Sequence, residues 1–441
     1  MRAGRIVVGL VGAALFFSAA GAVSSRAAGK NQIHQKNEFS VRKTIGRKGR
    51  GIMSGLRQTF VAMAVAAVGA AAFAVPAALS AELPKSTQAI LKKLEQKPEL
   101  LSGLDEELKV PQAWIDGAKK EGVVRILGTW DPKQFGLMNA PFRERFPNVK
   151  VEYSRANFNA RALRTLIAFK EGRYTTDILT GFGGSEEHFR EAKALDDLRD
   201  IPGLKNPLPN TGGEDGTWVG TRIRYWCMTY NKNLVKQEDL PKTWDDLLTN
   251  PAWRNGNIGV GDRPQLWLLM LWGEYGKDWT TNFIDKFFTV TKPQLRKEGA
   301  NALLGLTIAG EFHAALPAAA YRTKQYVDRG APIAWHCPQP VPLAVSQMGI
   351  LRGNPHPNAS RVWVNWFLSK EGQISQYAAD QAPPVHKDLQ IEAFLQFPDQ
   401  INGRKIAYRV PEQDGATEEL NQIWAKYWTA GGGVRTETPE E

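Results

Sequence analysis

The chain has 441 residues and a formal charge of +11, a length that exceeds one ordinary domain and suits two of moderate size. Residues 1–81 hold 11 Lys/Arg and one Asp/Glu, whereas the rest of the chain holds 45 basic and 44 acidic residues. The basic excess therefore belongs to the N-terminal segment, and no nucleic-acid footprint remains in the body.

Residues 1–81 read as a leader. One apolar run, Ile6 to Val23, follows Arg2 and Arg5, and a second, Phe60 to Leu79, follows Arg57. Met53 to Ala81 alone carries the parts of a secretory signal: a short basic start, an Ala/Val run, Pro76, and small residues ending in Leu79-Ser80-Ala81. A membrane span is the competing reading of the same run, since it is long enough. Its Ala-rich composition and small-residue end favour the signal. The expectation is export, with translation starting at Met53 and residues 1–52 as mis-assigned upstream sequence.

Residues 82–110 place Ile90, Leu91, Leu94, Leu101, Leu104 and Leu108 among charges, which reads as a helical extension loosely docked on the body. From Pro111 the elements alternate. A helix from Trp114 ends at Gly122, and Val123 to Leu127 is a strand. Thr129-Trp130-Asp131-Pro132 leads into a helix closed by Phe146-Pro147. Val149, Val151 and Tyr153 alternate as a second strand. Phe158 to Lys170 is helical, and Asp177 to Thr180 is a third strand, followed by Gly181-Phe182-Gly183-Gly184-Ser185. This rhythm predicts an α/β lobe with a parallel sheet, whose ligands bind beyond the carboxyl ends of the strands.

Ile223 to Tyr230 is a strand rich in aromatic and β-branched residues. After Leu240-Pro241, Thr243 is the expected N-cap of a helix carrying Trp244, Leu247 and Leu248. Asp262-Arg263-Pro264-Gln265 precedes the apolar run Leu266 to Trp272. A buried strand from Phe312 to Leu316 leads to Tyr321, and a helix spans Lys324 to Gly330. Ala331 to Pro340 reads as a return crossing.

Catalytic signatures are missing: no G-x-S-x-G, no H-E-x-x-H and no P-loop occurs. The six His are scattered, with no pair at metal-ligand spacing. Glu186-Glu187-His188 reads either as metal donors or as an acidic first helical turn. Cys227 and Cys337 form a disulfide or are two small buried hydrophobes, and geometry decides between them. Trp267, Trp272, Trp363 and Trp366 sit at core positions, whereas Trp130 and Trp335 read equally as packing or as ligand contacts.

The order of Tyr230-Asn231, Leu240-Pro241-Lys242-Thr243-Trp244-Asp245-Asp246-Leu247, Ala309-Gly310-Glu311, His356-Pro357-Asn358-Ala359 and Ser369-Lys370-Glu371-Gly372-Gln373 resembles the periplasmic substrate-binding proteins of ABC importers. It looks most like their ferric-iron-binding branch, from about Trp114 to Gln381. The resemblance implies a type 2 periplasmic-binding-protein fold, with two α/β lobes joined by crossing hinge strands. Residues 111–221 with 340–400 would form lobe 1, residues 222–339 lobe 2, and residues 401–441 a C-terminal helical segment and tail. It also implies a periplasmic monomer without cofactor or catalytic activity, which closes on a small solute and delivers it to an inner-membrane permease. An iron carrier, or an enzyme or sensor partner on the same fold, are the other readings.

In the ferric-binding relatives the metal is held by a His after the first strand, a Glu after the third, and two consecutive Tyr. Those positions fall here on Asp131, near Phe182, and on Ala320-Tyr321. Only Tyr321 is kept, which leaves too few hard oxygen donors for iron. Arg222, Arg224, Arg263 and Arg322 suggest a small anion instead, since an Arg fork holds a carboxylate or phosphate bidentately. The candidate ligand-binding residues are Trp130, Asp131, Phe182, Gly183, Ser185, Arg224, Arg263, Asn301, Tyr321 and Trp335. N-terminal sequencing of the exported protein should place the mature end near residue 82; an end near residues 24–30 would overturn the Met53 start.

Overall fold

The computed structural model describes residues 83–156, 160–182, 185–408 and 416–433. The expected leader, Phe158, Gly183 and Gly184 lie outside the described residues. Among the described residues no helix is long and apolar enough to cross a membrane.

The described residues form ten strands: β1 Val123–Gly128, β2 Lys150–Arg155, β3 Ile178–Thr180, β4 Val219–Asn231, β5 Ile258–Gly261, β6 Gln294–Arg296, β7 Ala314–Ala319, β8 Ile333–His336, β9 Val341–Ile350 and β10 Ile406–Tyr408. Their spatial order is β2-β1-β3-β9-β4-β7-β5-β6, with β8 added on β4 and β10 on β9. β1, β2 and β3 run parallel, as do β5, β6 and β7. The antiparallel pair β4 and β9 joins the two sets. This is the two-lobed α/β architecture, with helices packed on each parallel set.

Local chemistry explains the elements. β1 buries Val124 and Ile126 on one face, while Arg125 on the other pairs with Asp177 at 2.8 Å. The helix Gln112–Glu121 ends at Gly122, whose φ of 70° suits a residue without Cβ. Asp131 caps the helix Pro132–Met138, with Pro132 at its first position. All 13 residues of β4 are buried, as its aromatic and β-branched run leads one to expect. Its first half pairs with β9 up to Tyr225, and its second half pairs with β7 from Trp226.

Several expectations are corrected. Thr243 is not an N-cap: the local helix is Asp246–Thr249, and the Asp246 carboxylate accepts from the backbone N–H groups of Lys242 and Thr243 at 2.8 and 2.9 Å. The return crossing is β9 rather than residues 331–340. Pro338 and Pro340 remove backbone donors there, so β8 ends at His336 and a separate strand begins at Val341. The strand expected at Phe312 starts at Ala314, because Phe312 instead packs beneath Gly259, where any Cβ would meet its ring.

The N-terminal extension is not loosely docked. Leu91, Leu101 and Leu104 are buried in a cluster with Ile374, Leu389 and Phe394. Glu371, wholly buried, accepts from Thr87 Oγ1 at 2.6 Å, Arg145 Nε at 2.6 Å and Trp366 Nε1 at 2.9 Å. A carboxylate taken out of water requires such partners. Glu371→Ala should cost about 3–5 kcal/mol of unfolding free energy by leaving Arg145 uncompensated. Urea titration measures that loss, and hydrogen exchange should quicken over residues 85–93.

Candidate ligand cleft

The topology brings two sheet edges face to face. β3 is antiparallel to β9, and β9 is antiparallel to β4, so β1, β2 and β3 run in the direction of β4. β7 is antiparallel to β4, so β5, β6 and β7 run the opposite way. Their carboxyl ends therefore approach each other across the crossing strands. Thr180, at the end of β3, lies level with Met348 and thus with Val219, and Ala319, at the end of β7, lies level with Trp226. Arg222 and Arg224 occupy the stretch of β4 between those two levels.

Gly128 ends β1 because the chain passes tightly there; a Cβ would lie 2.4 Å from Thr180 Oγ1. Thr129, Trp130 and Asp131 follow. Trp130 is buried, its Nε1 donates to Asp380 Oδ2 at 3.0 Å, and its ring lies 4.8 Å from the Arg222 guanidinium carbon. Asp131 is half-buried, and its Oδ1 accepts from Lys133 N at 2.9 Å.

Arg222 is set by a β-bulge. The register slips between Gly220 and Arg222, leaving Thr221 as the extra residue, and such a bulge re-aims the next side chain. The Arg222 guanidinium contacts the Asp380 carboxylate through Nη1 and donates from Nη2 to Thr129 Oγ1 at 2.9 Å. Burial, and then the charge of Arg224, pull Arg222 below the usual guanidinium range. The carboxylate in contact keeps it charged at neutral pH.

Tyr321 opens the helix Ala320–Val327 and is buried. Burial by itself would raise its phenol pKa. The charges of Arg322, Arg224 and Arg222 more than offset this and bring it down to about 8. The guanidinium carbons of Arg322 and Arg222 lie 5.3 and 6.0 Å from its ring centre. Two guanidinium groups thus lie over one phenol, the charge of Arg224 adds to theirs, and Asp380 supplies a carboxylate to Arg222.

The other expected residues divide. Arg263 follows β5, and Asn301 lies in the first turn of the helix after β6; both are half-buried at the carboxyl edge that also carries Tyr321. Phe182 is fully buried and packs on Phe189, with ring centres 5.1 Å apart. Ser185 is buried and donates to Phe182 O at 2.7 Å. Gly183 lies outside the described residues. Trp335 stands on β8, where Nε1 donates to Ala318 O at 3.0 Å and the ring stacks on Phe397. Cys227 and Cys337 form a disulfide, with Cα atoms 5.1 Å apart. In the Glu186-Glu187-His188 turn, Glu186 is buried and bonded by Gln347, Glu187 pairs with Arg190, and His188 is 71% exposed.

Sequence reading missed Asp380, Thr129 and Gln325. Thr129 adjoins the expected loop, but Asp380 comes from the far end of the helix Lys370–Asp380 and no local pattern marks it. Among the described residues, one cluster of His, Asp or Glu has donor atoms within 4.8 Å of one another: Glu107, His386 and Asp388. Lys370 Nζ lies 3.5 Å from Glu107 and 3.4 Å from Asp388, so an ammonium already serves these carboxylates.

The model of the family described as bacterial extracellular solute-binding protein matches residues 130–374, more than half of the chain. The chain belongs to this family. Solved structures with the same fold include iron-bound HitA from Pseudomonas aeruginosa, with 17% identity, TM-score 0.59, and coverage of 69% of this chain and 99% of that one. A ferric binding protein from Campylobacter jejuni has 15% identity, TM-score 0.59, and the same two coverages. An ABC transporter substrate-binding protein from Agrobacterium tumefaciens has 14% identity and TM-score 0.57, over 70% of this chain and 96% of that one. No curated protein matches the chain. The chain is thus a solute-binding protein, as the motif order suggested.

The phenol of this solute-binding protein offers a direct measurement. Absorbance at 295 nm should show one tyrosine ionising near pH 8, which Tyr321→Phe removes, while burial holds Tyr153 and Tyr225 above the ordinary range. The folded value lies below the unfolded one, near 10, so the linked stability is complete above that pH and is lost as pH falls through about 8. Tyr321→Phe should therefore lose more stability relative to the parent at alkaline pH than at neutral pH.

Proposed function

We propose that this chain is the exported, periplasmic component of an ABC importer, and that it captures a small anion between its lobes for a membrane permease. It acts as a monomer and without cofactor. The observation that carries the anion is the approach of the Arg322 and Arg222 guanidinium carbons to 5.3 and 6.0 Å from the Tyr321 ring centre, with Arg224 two residues along the same strand as Arg222. Asp380 serves Arg222, and guanidinium groups of this kind hold a carboxylate or phosphate bidentately. Arg263 and Asn301 add polar groups at the same edge, and Trp130 lies beside Arg222. Hinge motion about β4 and β9 admits and releases the solute.

Ferric iron as cargo is the second reading. The HitA neighbour is described as iron-bound, and the phenol of Tyr321 is a hard oxygen donor. The three guanidinium groups around it oppose a trivalent cation, and no His or carboxylate set accompanies it among the described residues.

Native mass spectrometry of the protein from its own periplasm should find a small anion at one per chain. Arg224→Ala and Arg263→Ala should each weaken that anion by about 30-fold to several thousand-fold, as truncated buried charge pairs do. The melting temperature of the empty protein should hardly change for Arg263→Ala. A visible iron–phenolate band with submicromolar affinity, lost in Tyr321→Phe, would replace the anion reading with iron.

A further inference from the structure

The helix Ala320–Val327 packs on β4, β7 and β8, whereas the helix Lys370–Asp380 packs on the helices Pro132–Met138, Ala140–Arg145 and Pro357–Phe367. The two helices thus belong to bodies on opposite sides of the crossing strands. Gln325 bridges them. Gln325 Nε2 donates to the backbone carbonyl of Asp380 at 2.7 Å, and Gln325 Oε1 accepts from Arg322 Nη1 at 3.0 Å. A turn further along, Asp328 Oδ2 accepts from Gln381 Nε2 at 3.4 Å. Tyr321, Gln325 and Asp328 follow helical i, i+4, i+7 spacing, so one face carries both the phenol and the contact.

The acceptor has a physical reason to be there. Carbonyls of a last helical turn lack intrahelical partners, and the Asp380 carbonyl is one of these. Its side chain already serves Arg222 and Trp130, so the residue that anchors the cleft also receives Gln325. The amide is suited to this double task, since it donates to one side and accepts from the other. We propose that Gln325 is a positioning residue that latches the two bodies together and holds Arg322 beside Tyr321. This deepens the reading of the cleft as the ligand site and gives its closure a named contact.

The test uses the full mature chain. Both native cysteines are in the disulfide, so spin labels attach selectively at Lys133→Cys and Ala302→Cys, two exposed positions on opposite bodies. Double electron–electron resonance should give one short distance for the parent. Gln325→Leu and Gln325→Glu should both add a longer component, raising the open-to-closed ratio by about 2- to 12-fold, the worth of one net hydrogen bond. The Glu variant still accepts from Arg322 but cannot donate to the Asp380 carbonyl, so it isolates the latch. In Gln325→Leu, the Tyr321 step at 295 nm should also move upward, because Arg322 loses its holding acceptor. Unchanged distances in either variant, a parent already at the longer distance, or an unmoved Tyr321 step in Gln325→Leu would overturn the proposal. Neither readout needs a bound anion, so the functional reading and this one fail separately.

Discussion

Arg222 carries its charge in the middle of a strand with no exposed residue, and its partner Asp380 arrives from a helix 158 positions later. A guanidinium removed from water costs several kcal/mol unless a carboxylate and further acceptors meet it. Here Asp380 and Thr129 Oγ1 do so, while the Trp130 face lies against it. The pair ties the loop after β1, the crossing strand and the end of the helix Lys370–Asp380 into one unit. Because Asp380 also accepts from Trp130 Nε1, Gln376 Nε2 and Ala382 N, loss of the carboxylate would deprive four donors of an acceptor at once. The geometry of the cleft follows from this contact.

The surrounding charges then give the cleft its chemical character. The charges of Arg322, Arg224 and Arg222 act on the buried phenol of Tyr321, where charges count for more than at the surface. Surface ion pairs such as Lys109–Glu106 occur elsewhere on the body, but they are solvated and contribute little. The depressed phenol of Tyr321 is the local readout of that field.

The crossing strands are braced at their lobe-2 end. The Cys227–Cys337 bridge ties β4 to the segment after β8, and Trp335 stacks on Phe397 nearby. The β4–β9 pairing from Val219 to Tyr225 carries no such brace among the described residues, and the bulge at Thr221 breaks its ladder. The terminal additions pack on different cores. The N-terminal extension closes on Glu371 and Ile374, and the helix Ala416–Ala430 inserts Trp424 and Trp428 into the core that holds Trp267. Both additions enlarge buried apolar area.

Much of the fold was legible in the chain because its causes are local. Alternating apolar residues specify β1 and β2, Gly122 ends a helix, Asp131 caps the next, and the aromatic run of β4 reads as a fully buried strand. The motif order likewise pointed to the solute-binding family, and Tyr321, Arg224 and Arg263 stood out at strand ends or on the crossing strand. What stayed hidden depends on long-range contact. No pattern near residue 380 says that its carboxylate reaches Arg222 and its carbonyl Gln325, and cysteine spacing could not choose between a bridge and two buried thiols. The return crossing moved to β9 because neighbouring prolines withdraw donors, a consequence visible only once β4 supplies the partner strand. Local propensity and periodicity sufficed for elements and family, whereas pairing of charges across 100 or more residues is set by how the two bodies meet, which only the tertiary structure decides.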